Sequence, residues 1–302
     1  MRITDQMQFA LAAQYDDQAQ SNVESAAETA SSGLRVVHPW DDPTAAGLLA
    51  QNQVTQARLT GIASNANGAL AQLNASSSAL TEVQNTLNSA SQIAMQMTDS
   101  TYSASERANA GTQVNSYIQQ IISVLNTQVG DTYVFGGDQT ATAPFSSSGT
   151  YSGDAAVRQV EISPGITVAA NVNAAAAVEG TGVAGGVNIL STLQALATAL
   201  NSNDTAGIQA ALAPLNQAIT QVSSAQAGVG DSVDALNTAL TANQAALTTA
   251  QTQASTLGDA DMIQAATNLA QAQQALQASL QATAQSFQMS LLNYLSTSTS
   301  AA

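Results

Sequence analysis

Few side chains in this sequence could do chemistry. There is one histidine, His38, and no cysteine, which leaves Ser-His-Asp, Cys-His and thiolate or imidazole metal arrangements almost nothing to draw on. His38 stands between Val37 and Pro39 and reads as a loop residue rather than a base. Asp41-Asp42 and Asp259-Ala260-Asp261 pair carboxylates, whose chemistry would be cation binding. Each pair also precedes a helical pattern, where a carboxylate caps free N–H groups, and capping is the reading we adopt. Gly136-Gly137 lacks the lysine and the spacing of a phosphate loop and reads as a turn. Trp40, the only tryptophan, is either an interface anchor or a plug between helices. No catalytic residue, metal ligand or cofactor is expected.

Composition narrows the classes further. The 302 residues are 45% hydrophobic, 4% aromatic and 8% charged. Alanine-rich, aromatic-poor chains build thin globular cores but good helix–helix seams. The formal net charge is −15, and the five basic residues are all arginine. Nucleic acid, whose phosphates need clustered Lys and Arg, is excluded as a partner, as is an anionic membrane surface. The opening MRITDQMQFALAAQYDDQ shows no uninterrupted apolar core and no cleavage site, so no ordinary secretory signal is expected. No run approaches the roughly 18 apolar residues of a spanning helix.

The elements that position these residues are long helices broken at two joints. The first helix carries Ile3, Met7 and Leu11 on one face, then Val23, Ala27, Ala30 and Leu34, with a polar middle over 16–22. Pro39 and Asp42-Pro43 then mark a joint and a helix start, with proline at the first helical position. Beyond it, Leu59, Ile62, Ala66, Ala69, Leu73, Ser76, Leu80, Val83, Leu87, Ala90, Ala94 and Met97 alternate spacings of three and four, a sustained heptad seam. Ser103 to Glu106 reads as a capping box opening a shorter helix with the stripe Val114, Ile118, Ile121 and Leu125, ended by Gly130. From Asp131 the period changes. Val160 and Ile162 alternate up to Pro164-Gly165, and Ile166, Val168, Ala170 and Val172 alternate after it, which reads as a hairpin. Helix returns near Ile189 and breaks around 201–205, and Pro214 marks a kink or a helix start. A second seam then runs from Leu215 through Val222, Val229, Leu236 and Asn243 to Leu257. There the phase slips by one residue at 258–261, and a final seam runs through Met262, Leu269, Leu276, Leu280 and Phe287 to Tyr294.

The expected fold is mainly α: a long antiparallel helical rod, coiled-coil-like, with a small β-rich insert at its tip and a terminal helix pair. At 1.5 Å per residue each arm of the rod is roughly 60–80 Å long. The divisions are 1–40 plus 259–302 for the terminal helices, 41–130 plus 187–258 for the rod, and 131–186 for the insert. The insert's alternation predicts a small core of its own, dispensable for the rod. A helix pair alone is barely a core, so the terminal helices are expected to present an assembly interface: Ile3, Met7, Leu11, Val23, Leu34, Leu276, Leu280, Phe287, Leu291 and Tyr294.

Four stretches carry a resemblance. SSGLRVVHPWDDPTAAGLLA resembles the signature of the flagellin superfamily, a Ser-Gly-x-Arg turn leading to paired aspartates and a helix, here with Gly33, Arg35, Asp41, Asp42 and Pro43. The opening MRIT, the stretch YVFGGDQTATAPFSSSGTYSGD and the ending QAQQALQASLQATAQSFQMSLLNYL resemble the same family. Pro43 points away from filament flagellin, where alanine is usual, and toward the family's hook–filament junction branch. Tryptophan at 40 departs from the small residue expected there. The resemblance implies a structural, non-enzymatic protein, exported through the flagellar type III apparatus to an extracellular place in the flagellum. It further implies self-assembly into a ring, with the first hook-associated protein and flagellin as neighbours and a cytoplasmic export chaperone on the C-terminal helix. A flagellin-type filament subunit is the near alternative, and a helical signalling or enzyme module the distant one.

Overall fold

The computed structural model describes residues 5–163 and 165–299, with side chains for 7, 9–163 and 165–288. The helices are α1 (Asp5–Ser32), α2 (Pro43–Met97), α3 (Ala104–Leu125), α4 (Ala174–Glu179), α5 (Ile189–Asn201), α6 (Thr205–Gly258) and α7 (Met262–Thr299). Two antiparallel ribbons complete the fold: β1 (Gln128–Val129) with β2 (Thr132–Tyr133), and β3 (Gln159–Ser163) with β4 (Ile166–Ala169). The fold is mainly α, as expected. It divides into two compact units, Met1–Arg58 with Leu247–Ala302, and Leu59–Ala246.

Within Leu59–Ala246 the heptad seams predict the core position by position. On α2, Ile62, Ala66, Ala69, Leu73, Ser76, Leu80, Val83, Leu87, Ala90, Ala94 and Met97 are all buried, and only Leu59 of the predicted seam is half-buried. On α6 every seventh residue from Leu215 through Val222, Val229 and Leu236 to Asn243 is buried, while Ile219, Gln226, Val233 and Leu240 between them are half-buried. One edge of that seam therefore opens to solvent. The two helices run antiparallel here, since Gln226 Nε2 donates to Thr81 Oγ1 (3.0 Å) and Asn243 Nδ2 to the Leu59 carbonyl (3.1 Å). Val114, Ile118, Ile121 and Leu125 of α3 are buried with Leu193, Leu196 and Leu200 of α5 in the same core.

The capping box forms as read. Ser103 Oγ accepts from the Glu106 N–H (3.3 Å), and a Glu106 carboxylate oxygen accepts from the Ser103 N–H (2.7 Å). The expected hairpin also forms between β3 and β4, with Val160 opposite Val168.

Three expectations need correction. Helix α3 ends at Leu125, not at Gly130, which instead turns β1 into β2 with φ +60°. Its stop is Asn126, whose side chain leaves the helix to bridge Phe145: Nδ2 donates to the Phe145 carbonyl (2.9 Å) and Oδ1 accepts its N–H (3.0 Å). Second, the segment read as β-rich also contains α4, an alanine run capped by Asn173 Oδ1 on the Ala176 N–H (3.1 Å) and closed by Gly180 at φ +70°. Third, the insert has no core of its own. Val134, Phe135, Phe145, Val172, Ala174 and Val178 pack into the cluster that holds Leu73, Leu80, Ile121 and Leu193. As for Pro214, it lies inside α6, which starts at Thr205 with the Asp204 carboxylate accepting the Gly207 N–H (3.0 Å).

Candidate assembly surface

The two joints read from the sequence meet in space. The Arg35 N–H donates to the Gly258 carbonyl (2.6 Å), the Ala260 N–H donates to the Gly33 carbonyl (2.9 Å), and Leu34 bridges Asp259 antiparallel. Gly33 can make this approach because its φ is +71°, a conformation that side chains disfavour. Arg35 ties both joints: Nη2 donates to the Leu257 carbonyl (2.7 Å), while Nη1 pairs with Asp42 Oδ2 (3.1 Å). Asp42 is then the N-cap of α2, accepting the Ala45 N–H at Oδ1 (3.0 Å) ahead of Pro43. That backbone bond first, and Arg35 second, hold its carboxyl below the usual carboxylate range.

The other carboxylates of the joints are committed in the same way. Asp41 Oδ2 accepts the Val37 and His38 N–H groups (3.1 and 2.7 Å), and Asp261 Oδ1 accepts those of Ile263 and Gln264 (2.9 and 3.2 Å). Among the described residues no group of three or more His, Asp or Glu side chains could hold a metal ion. His38 stacks on Trp40, ring centroids 4.4 Å apart and 13° from parallel, with Glu28 Oε1 3.8 Å from its Nε2. Trp40 is 73% exposed, so it plugs no gap between helices.

Helices α1 and α7 pair through a seam in which small residues outnumber large apolar ones. The half-buried positions of α1 are Ala12, Asp16, Ala19, Val23, Ala26, Ala27, Thr29 and Ala30; those of α7 are Leu269, Ala272, Leu276, Ser279 and Thr283, with Ala265 buried. Ser279 Oγ donates to Asp16 Oδ1. This seam keeps Leu269, Leu276 and Thr283 of the predicted stripe. It replaces Ala266, Gln273 and Leu280 by Ala265, Ala272 and Ser279, one residue away in each case. The reason is steric: an alanine seam lets two backbones approach, and the larger side chains turn outward. Met7 is 53% exposed, Leu11 40%, Leu280 51% and Phe287 39%, and Phe287 meets Phe9 at 4.3 Å between ring centroids.

Of the residues predicted for an interface, then, Met7, Leu11, Leu34, Leu280 and Phe287 are exposed, and Val23 and Leu276 are half-buried in the pair's own seam. Ile3 lies outside the described residues, as do the side chains of Leu291 and Tyr294. The reading from sequence missed Phe9, Tyr15, Met262 and Ile263, all exposed, the last by 82%. A helical wheel phased on the alanines rather than on the leucines would have found them. Among the described residues no helix is long and apolar enough to cross a membrane.

The model of the bacterial flagellin N-terminal helical region matches residues 3–140, and that of the C-terminal helical region matches 212–295. Flagellar hook-associated protein 3 of Escherichia coli (strain K12) is 32% identical over 130 residues, 42% of this chain and 41% of that protein. The match thus spans about two fifths of the relative's length. Among solved structures, one described as a flagellar hook-associated protein from Vibrio parahaemolyticus superposes with a TM-score of 0.65 at 22% identity, covering 72% of this chain and 99% of that one. The flagellar junction protein FlgL from Legionella pneumophila gives 0.56 at 16%, covering 70% and 100%. At these identities the structural likeness is one of fold. With both helical regions matched, and more than half of its residues between them, the chain belongs to the bacterial flagellin family.

Proposed function

We propose that this chain is a structural subunit of the bacterial flagellum that joins hook to filament. The observation that carries the reading is the outward apolar face of the terminal helix pair, with Met7, Leu11, Leu280 and Phe287 all exposed. A face of that kind on paired terminal helices is a surface for further helices, not for a small molecule. The relative named flagellar hook-associated protein 3 supports the place in the flagellum. In this reading residues 1–40 and 259–302 form the assembly region, and copies of the chain form a ring with the first hook-associated protein on one side and flagellin on the other. The chain leaves the cytoplasm through the flagellar type III apparatus, with an export chaperone on α7 until then. It carries out no reaction.

The test is a double change, Met7→Ser with Leu280→Ser, beside a deletion of the gene. Each apolar side chain is worth about 1.5–3 kcal/mol when fully buried in an assembly, and neither is buried in the free chain. The variant should melt within a degree or two of the parent. Cells carrying it, like deleted cells, should build hooks and shed filament into the medium. A deletion strain that keeps its filaments would end the junction reading. Labelled chain distributed along the whole filament would mean a filament subunit instead.

A further inference from the structure

The chain's shortage of positive charge makes each arginine informative. Four of the five, Arg35, Arg58, Arg107 and Arg158, lie in the described residues. Arg35 is paired with Asp42, Arg58 is exposed to water, and Arg107 is spent on three acceptors. Arg158 is different. It is half-buried on the approach to β3, in a polar cleft of about 610 Å³ walled by Ser64, Asn65, Gly68, Gln72 and Asp138. Its side chain makes one hydrogen bond, Nη2 to Gln72 Oε1 (2.5 Å), and its Nε is closed off from water with no acceptor. Asp138 is on the wall, yet Arg158 has no ion pair among the described residues. A guanidinium has five N–H donors in a fixed fork suited to a carboxylate. This one is held half out of water without its counter-charge, a costly arrangement.

We propose that the Arg158 cleft is a contact between copies of this chain, taking an Asp or Glu carboxylate of a second copy. The inference rests on the junction reading, in which copies assemble side by side. Charge complementarity selects the occupant. Each copy carries 20 acidic residues against five basic ones, so neighbouring copies repel unless a fixed cation faces a carboxylate across the interface. Gln72, Asn65 and Ser64 add neutral donors that can bond a carboxylate without adding charge. The position of Arg158 is set by its own backbone: its N–H donates to Asn171 Oδ1 (2.7 Å) and its carbonyl accepts the Ala170 N–H (2.8 Å). The guanidinium therefore enters the cleft from a pinned strand end.

Two variants test it in cells, with the deletion strain as reference. Arg158→Gln removes the charge and should cause filament shedding at least tenfold above the parent, with Arg158→Lys shedding less. Gln72→Glu gives Arg158 a carboxylate inside its own chain. It should keep or raise the melting temperature and still shed filament, because the cleft is already filled. This second variant decides the matter if Arg158→Gln fails to fold. Normal filament retention by Gln72→Glu, or by a folded and exported Arg158→Gln, overturns the proposal. A deletion strain that retains filament overturns the junction reading instead, so the two failures are distinguishable.

Discussion

Arg107 shows what one side chain can settle. It is 4% exposed, and its three hydrogen bonds run from Nε to the Met97 carbonyl (2.9 Å), from Nη2 to the Asp99 carbonyl (2.7 Å) and from Nη1 to Asn203 Oδ1 (2.7 Å). It thereby closes the C-terminal end of α2 from the first turn of α3, a place where the helix dipole disfavours a cation. Each buried acceptor left without a donor costs roughly 1–3 kcal/mol, offset in part by no longer burying a charge. Arg107→Met should therefore lose roughly 2–4 kcal/mol in urea unfolding, and a loss below about 1 would mean these carbonyls find water. Tyr151 gives a pH test. Its hydroxyl lies 3.0 Å from the Phe135 carbonyl and 2.8 Å from that of Asp154. Burial first, then the charges of Asp154 and Glu179, push its pKa from 10.0 up to about 12. A pKa raised in the folded state means stability that is complete below pH 10 and lost as the pH climbs toward 12. Tyr151→Phe should lose less stability than the parent across that window, measured by denaturant midpoints. Parallel curves would show that Tyr151 does not titrate as described.

At the scale of elements, the segment between α3 and α5 is bound into the helices rather than set upon them. Phe135 and Val178 are fully buried in the same cluster as Leu80 and Leu193. Gln221 on α6 holds the segment's exit, donating to the Ala177 and Val187 carbonyls (3.0 and 3.2 Å) and accepting the Val187 N–H (3.0 Å). Replacing residues 133–184 by a short flexible linker would bare the apolar sides of α3 and α5. The shortened chain should lose cooperative melting and aggregate on heating. A sharp transition near the parent temperature would restore the view that the segment has an independent core. The same glutamine explains why Gly180 matters: at φ +70° it lets the backbone close on Gly186 and Val187, where a Cβ would collide.

For the whole molecule, the two units are stabilised differently. Leu59–Ala246 has a core of leucine, isoleucine and phenylalanine. The α1–α7 seam is mostly alanine, serine and threonine, and each such contact buries little apolar area. Hydrogen exchange should therefore be faster in α1 and α7 than in α3 and α5, in which opening needs the larger core to break. The absence of lysine makes trypsin a clean probe: exposed Arg35 should be cut before buried Arg107. Equal protection in both units, or first cleavage at Arg107, would count against this division. On assembly the order should invert for α1 and α7, since a neighbour covering Met7 and Leu280 adds the area that the seam lacks.

What the sequence determined by itself was everything with a local or periodic cause. Heptad spacing marked the buried residues of α2 and alternate ones of α6, because a helix turns at a fixed rate whatever surrounds it. The Ser103–Glu106 box, the Asp42-Pro43 start and the hairpin of β3 and β4 were legible because each bonds within a few residues of itself. Only the tertiary structure decided which of two adjacent faces on α1 and α7 would pair. Leucine and alanine stripes one residue apart are equally periodic, and the choice fell to how closely two backbones can approach. It alone joined Gly33 and Arg35 to Gly258 and Ala260, bonds between stretches more than 200 residues apart that no spacing encodes. It alone packed the insert into the helical core, since Phe135 and Val178 are apolar in either arrangement and differ only in what lies opposite.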